Sequence, residues 1–259
     1  MRSLPRIMVA PNGARLTKAD HPGIPVTIPE IVDCAVACHK VGADGIHAHV
    51  RDAAGAHVLD AGLYRELLAE LGLVLPGFYT QITTEAVGRY TAAEQRELVH
   101  AVRPAAVSVA LREITDGAEP AETTRFFAFC HEAGIEVQHI LYDVADIERL
   151  AQMVDQGAVP RADLRALIVL GRYSAGQKSA PSDLDAPAAA LLRLLPETDW
   201  AVCAFGAQET ACLLAAAEWG GKARIGFENN RLNADLSVAT TNAERVADLV
   251  AALEASGLN

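Results

Sequence analysis

Short apolar runs alternate with longer helical patterns along the whole 259-residue chain, and no segment is left over. The runs that read as strands are 6–10 (RIMVA), 45–50 (GIHAHV), 78–83 (FYTQIT), 106–111 (AVSVAL), 135–142 (IEVQHILY), 165–170 (RALIVL), 200–205 (WAVCAF) and 223–227 (ARIGF). The helical patterns cover 28–41, 61–73, 92–102, 119–133, 144–156, 183–194, 207–219 and 242–255. The first helix has a clear start: Thr27 caps it, Glu30 completes a capping box, and Ile28, Ile31, Val32, Ala35 and Val36 form the apolar stripe. Strand–helix alternation implies a parallel sheet, because parallel neighbours need a crossover between them. Eight such units in about 250 residues is the size of one closed (β/α)8 TIM barrel, expected to fill 1–259 as a single domain. An open doubly wound sheet is the alternative, but G-x-G-x-x-G after the first strand and the Walker A motif are both missing.

Composition narrows the partners. The chain is 51% hydrophobic and 21% charged, which supplies a large core and argues against disorder. A net charge of −11 argues against general nucleic-acid binding but leaves an anionic substrate open, since a local arginine cluster can override the global field. The five cysteines, Cys34, Cys38, Cys130, Cys203 and Cys212, are odd in number and form no C-x-x-C pair, which suits a reduced, cytoplasmic protein. The stretch MRSLPRIMVAPNG is too short and polar for a signal peptide, and no apolar run approaches membrane length.

The chemistry is concentrated in GIHAHVRD, where His47, His49 and Arg51 recur at every second position. Alternate residues of a strand share a face, so both imidazoles and the guanidinium point one way. Barrel sites form at the C-terminal ends of strands, where this motif lies. Two neutral imidazoles suit zinc, which in catalytic sites takes a third protein ligand and keeps one position open. The best third ligand is Glu228 in ARIGFENN. In a closed barrel the first strand lies between the second and the eighth, so the two ends are two strand spacings, roughly 10 Å, apart. Arg224, Gly226 and Glu228 share parity; Gly226 leaves room in the interior and Arg224 sits deeper. The plain alternatives are core histidines, a helix-start carboxylate for Glu228 and a barrel-core ion pair for Arg224.

The segments APNGARLTKADHPGIPVT, GADGIHAHVRDAAGAH and ARIGFENN together resemble the β-keto acid cleavage enzymes, often called 3-keto-5-aminohexanoate cleavage enzymes. The likeness runs from Ala10 to about Arg245, and H-x-H-x-R-D with a late R-x-G-x-E-x-N is its specific part. It implies a (β/α)8 barrel and a divalent metal, usually Zn2+, on His47, His49 and Glu228. It implies that a β-keto acid and acetyl-CoA give acetoacetate and a new acyl-CoA, and that the protein is a homo-oligomer, commonly a homotetramer. Arg51 is assigned to substrate binding, and Thr83 and Ser108 match positions that hold the substrate carboxylate. The loop GRYSAGQKS, with Arg172, Lys178, Gly171 and Gly176, is a candidate for the CoA phosphates, and Gly206 opens a candidate anion site at a helix N-terminus.

Two positions depart from the pattern. Many members read E-D-N where this chain reads Glu228-Asn229-Asn230, and that aspartate is thought to act as an acid/base group near the arginine represented by Arg224. An amide exchanges no proton at neutral pH, so Asn229 is expected to orient Arg224 or the substrate carboxylate; Glu85 is the first choice for the missing base, ahead of Glu113 and Asp143, and Arg224 with a water is the other possibility. Arg15 stands where some members have an acidic residue suited to a cationic substrate tail; it suits an uncharged or anionic tail, or pairs with a carboxylate. The competing readings are a zinc hydrolase of the amidohydrolase kind, with His139 as the one further strand histidine, and an inactive paralogue that binds metal and ligand.

Overall fold

A computed structural model describes residues 2–258 and closes eight parallel strands into a barrel in sequence order. The strands are β1 (Ile7–Val9), β2 (Gly45–Ala48), β3 (Tyr79–Thr83), β4 (Ala106–Ala110), β5 (Glu136–Leu141), β6 (Arg165–Leu170), β7 (Asp199–Ala204) and β8 (Lys222–Ile225). The helices are α1 (Ile28–Lys40), α2 (Ala61–Val74), α3 (Ala92–Val102), α4 (Leu111–Ile114), α5 (Pro120–Glu132), α6 (Val144–Asp155), α7 (Asp185–Leu194), α8 (Glu209–Glu218) and α9 (Asn242–Ala255). This is the (β/α)8 TIM barrel expected from the alternation, and the open sheet is excluded by the β1–β8 pairing. Among the described residues no helix is long and apolar enough to cross a membrane.

Local chemistry starts most helices. Thr27 and Glu30 form the expected capping box of α1, and Thr91 with Glu94 repeats it at α3. The pattern did not foresee the one-turn α4, nor the 3₁₀ turn Pro181–Leu184 that leads into α7. Each is a single turn, too short to show a period. Outward strand residues such as Ile46, Val107, Ile168 and Val202 pack under the helices in one large core. Inward residues, among them Met8, Tyr79, Ala106, Ile140, Leu167 and Cys203, fill the barrel axis.

Two strand ends shape the site. The alternating run of β2 reaches Val50, but its ladder stops at Ala48 because Asn12 takes over the next backbone groups. The Asn12 amide donates to the His49 carbonyl at 2.8 Å and accepts from its N–H at 3.3 Å. Strand β8 stops at Ile225 rather than residue 227 because Gly226 turns the chain at φ +147°, close against β1. A Cβ there would meet the Ala10 carbonyl oxygen at 2.4 Å. That approach lets Glu228 N donate to the same carbonyl at 3.1 Å, which aims the glutamate back over the barrel axis.

Candidate active site

A cavity of about 980 Å3 opens at the C-terminal ends of the strands. At its floor His47 from β2 and His49 just past its end face Glu228 from the turn after β8. Gly13 makes room for the glutamate, since a Cβ there would meet Glu228 Cγ at 2.6 Å. The two Nε2 atoms are 3.1 Å apart. His47 Nε2 lies 3.8 Å from Glu228 Oε2, and His49 Nε2 lies 3.7 Å from Oε1.

These distances suit a shared cation. Bonds of about 2.0–2.2 Å in a tetrahedral site put donor atoms roughly 3.4 Å apart, and one donor atom from each of the three residues lies within 4.8 Å of the others. Glu228 Oε2 is buried with no hydrogen-bond partner, an orphan that a metal would satisfy. Burial pushes His47 and His49 well below the ordinary imidazole value, with Arg224 adding to it at His47 and His57 at His49. Both rings are therefore neutral, the state that offers a lone pair. Burial pushes the Glu228 carboxyl up, and the Arg224 guanidinium opposes that.

Beside this cluster Arg224 is buried, yet poorly paired. Its Nη2 is 3.4 Å from both Glu228 Oε1 and Cys203 Sγ, while Nε and Nη1 have no partner. Asn229 lines the same cavity with both amide atoms buried and unpartnered. It does not bond Arg224, which leaves a substrate carboxylate as the partner open to it. Thr83 lines the cavity too, with its Oγ1 accepting from Glu85 N at 3.1 Å. Ser108, its ladder partner on β4, is buried and its hydroxyl has no partner.

Arg51 lies differently from expectation. Its Nη1 donates to the carbonyls of Ala14 and Gly55, and its Nη2 to those of Asn12, Gly13 and Leu16. Both terminal nitrogens are thus spent on backbone oxygens, clamping the loop after β1 to the loop after β2, while Nε has no partner and the side chain stands outside the cavity lining. Parity placed the residue on the right face, but by Arg51 the chain has left the barrel and its side chain turns to the loop after β1.

The three carboxylates considered as bases separate. Glu113 accepts from Ala86 N and Gln95 Nε2, and Asp143 caps α6 and pairs with Arg112. Glu85 alone lines the cavity. Its Oε1 receives Arg15 Nη1 at 2.6 Å with Arg172 Nη2 at 3.7 Å, and its Oε2 lies 3.9 Å from His49 Nδ1. Arg15 therefore does pair with a carboxylate, and that carboxylate is part of the site. His139 packs on Phe127 of α5, on the opposite face of β5 from the cavity, so it adds nothing to a metal cluster.

Sequence reasoning missed four residues around this floor. His57 stacks on His49 at 5.0 Å between centroids and reaches the Glu85 carbonyl at 3.0 Å. Tyr142 lines the wall, ringed by Tyr173 and Arg112. Gln81 and Gln138 lie beneath His47 in the barrel. The signal for the glutamines was available: an amide inside a buried strand must find a partner. Around the rim, Arg172, Lys178, Gly176 and Gly206 line the cavity, and a Cβ on Gly206 would meet the Gln177 carbonyl at 2.8 Å, so the loops after β6 and β7 touch.

A profile of the beta-keto acid cleavage enzyme family matches residues 6–259. The chain is 26% identical to a 3-oxoadipate:acetyl-CoA acetyltransferase of Cupriavidus necator, over 97% of this chain and 89% of that one. It is 24% identical to a 3-keto-5-aminohexanoate cleavage enzyme of Acetoanaerobium sticklandii, over 84% of this chain and 80% of that one. Among solved structures, the binary complex of ObcA with oxaloacetate matches with a TM-score of 0.77 at 14% identity, over 93% of this chain. This chain spans 65% of that one, and at such identity the likeness speaks to the fold alone.

Proposed function

This chain belongs to the β-keto acid cleavage enzyme family, and we propose that it exchanges acyl groups between a β-keto acid and acetyl-CoA, with one divalent metal on His47, His49 and Glu228. The products are acetoacetate and a new acyl-CoA. The observation that carries this reading is the pairing of the three-donor cluster with Arg224, whose Nε and Nη1 are buried without a partner. A β-keto acid has a ketone and a carboxylate separated by one carbon. A metal site and an unsatisfied guanidinium side by side match those two groups. A bound divalent ion supplies a Lewis acid that polarises the ketone.

The chain's own groups do the rest. Arg224 receives the carboxylate, with the Ser108 and Thr83 hydroxyls as further donors. Asn229 offers one donor and one acceptor to the bound acid and fixes its rotation about C2. Glu85 is the carboxylate that takes the C2 proton. C2 then bonds to the acetyl carbonyl carbon and the acetyl carbon–sulfur bond breaks, freeing CoA thiolate; the thiolate adds to the original keto carbon, the bond between that carbon and C2 breaks, and Glu85 returns the proton to C2. The β6 and β7 loops, which touch at Gln177 and Gly206, line the cavity on the side left for CoA.

Arg15 and Arg172 face the single carboxylate of Glu85, so the mouth carries surplus positive charge. A substrate whose far end is a carboxylate is favoured over one ending in an ammonium group. In assays with acetyl-CoA, kcat/KM for a β-keto diacid such as 3-oxoadipate should exceed that for 3-keto-5-aminohexanoate by on the order of tenfold, about 1.4 kcal/mol. Arg15→Glu should narrow or reverse the gap. A clear wild-type preference for the aminated acid rules the assignment out, and no new acyl-CoA from any β-keto acid rules out the function.

Asn229→Asp tests whether the amide replaces a lost base. The change sets a carboxylate beside Glu228 and beside an anionic substrate. KM is expected to rise by roughly tenfold or more, with kcat no higher than wild type. A severalfold gain in kcat at unchanged KM contradicts the orienting role.

A further inference from the structure

One buried chain of amides ends on a metal-ready histidine. His47 Nδ1 is 2.9 Å from Gln81 Oε1 on β3. Gln81 Nε2 is 3.0 Å from Gln138 Oε1 on β5, and Gln138 Nε2 is 3.2 Å from the Ala166 carbonyl on β6. His47, Gln81 and Gln138 are each at most 1% exposed. Strand β4 lies between β3 and β5, and the residues it places in register with the two glutamines are the small Ala106 and Ser108. That gap is what lets the glutamines meet across an intervening strand.

The direction of the chain follows from its last link. A backbone carbonyl only accepts, so Gln138 must turn its NH2 group toward Ala166. Its oxygen then faces Gln81, which must present NH2 in return. That leaves the Gln81 oxygen for His47, so Nδ1 of the ring must carry the proton. A neutral imidazole has one proton, so Nε2 is left bare, and Nε2 is the atom that faces His49 and Glu228. Reversing any one amide would set oxygen against oxygen somewhere along the line.

We propose that Gln81 and Gln138 are positioning residues that lock His47 in the Nδ1–H tautomer and so hold its Nε2 lone pair on the metal position. The inference rests on the metal reading of the three donors. It also separates the histidines. Gln81 reaches His47 alone, whereas His49 Nδ1 has no hydrogen-bond partner and faces the mobile-proton candidate Glu85 at 3.9 Å. The fixed ring is on the barrel side and the adjustable one on the substrate side.

The test reads tautomer and affinity in the purified protein. Long-range 1H–15N correlation of the imidazoles should place the His47 proton on Nδ1 in wild type, before and after Zn2+ is added. Competition with a zinc chelator should show Gln81→Met binding Zn2+ about 10–100-fold more weakly. Gln138→Met, which removes a group that does not touch the ring, should shift affinity in the same direction by a smaller factor. A filler of the barrel core would have no reason to move Zn2+ affinity from two side chains away. A His47 proton on Nε2 in wild type overturns the lock without any variant being needed. Variants that bind Zn2+ as tightly as a wild type that does bind it overturn the relay and leave the metal reading standing. A wild type that binds no Zn2+ overturns the metal reading itself, and the relay's purpose with it.

Discussion

The His49→Ala protein is expected to emerge from purification nearly free of metal, where wild type carries about one divalent ion per chain. Turnover should fall by on the order of 10³-fold or more, since an electrophile for the ketone is worth several kcal/mol. His49 Nε2 stands 3.1 Å from His47 Nε2 and 3.7 Å from Glu228 Oε1, so its removal leaves two donors, too few for a tight zinc site. The ring also packs on His57, so truncation leaves a small void and a modest loss of stability. Thermal unfolding separates the two effects: a cooperative transition a few degrees lower, with metal gone, fits the assignment. A metal-free wild type with full activity refutes it.

Arg224→Met has the second-largest expected effect. The native guanidinium is buried, with only Nη2 engaged, by Glu228 Oε1 and Cys203 Sγ at 3.4 Å each. A bound carboxylate would give Nη1 the partner it lacks. Removing one partner of a desolvated charge pair costs about 2–5 kcal/mol, so kcat/KM should drop between roughly 30-fold and several thousandfold, mostly through KM. Lysine should recover little, because a point charge cannot present two donors in the same fork. Metal content is the control, since His47, His49 and Glu228 all remain. A wild-type KM in Arg224→Met with metal retained removes the carboxylate anchor from the account.

Which parts of this were legible in the sequence follows from the range of the forces involved. The ranges of α3 and α9 match the pattern residue for residue, because threonine caps and a helical stripe are local signals. The cluster of His47, His49 and Glu228 was also readable, since alternation in β2 and the adjacency of β8, β1 and β2 in a closed barrel bring them together. What was not readable depends on contacts between distant loops. Parity aims Arg51 inward, but only the folded β1 loop reveals the carbonyls that occupy it. The Arg15–Glu85 pair joins residues 70 apart at the barrel mouth. The Gln81–Gln138 contact crosses a strand that lies between them, which no pairwise register shows. Strand β2 ends early because one side chain, Asn12, replaces the ladder.

Acyl exchange itself is tested most directly by following label from acetyl-CoA carrying 13C in both acetyl carbons. With a β-keto diacid as partner, the label should appear in carbons 3 and 4 of acetoacetate, while the new acyl-CoA carries none. That distribution requires C2 of the keto acid to end bonded to the acetyl group while its original acyl group ends on CoA. Unlabelled acetoacetate, or free acids with no new acyl-CoA, would mean hydrolysis or no cleavage at all, and would contradict the account.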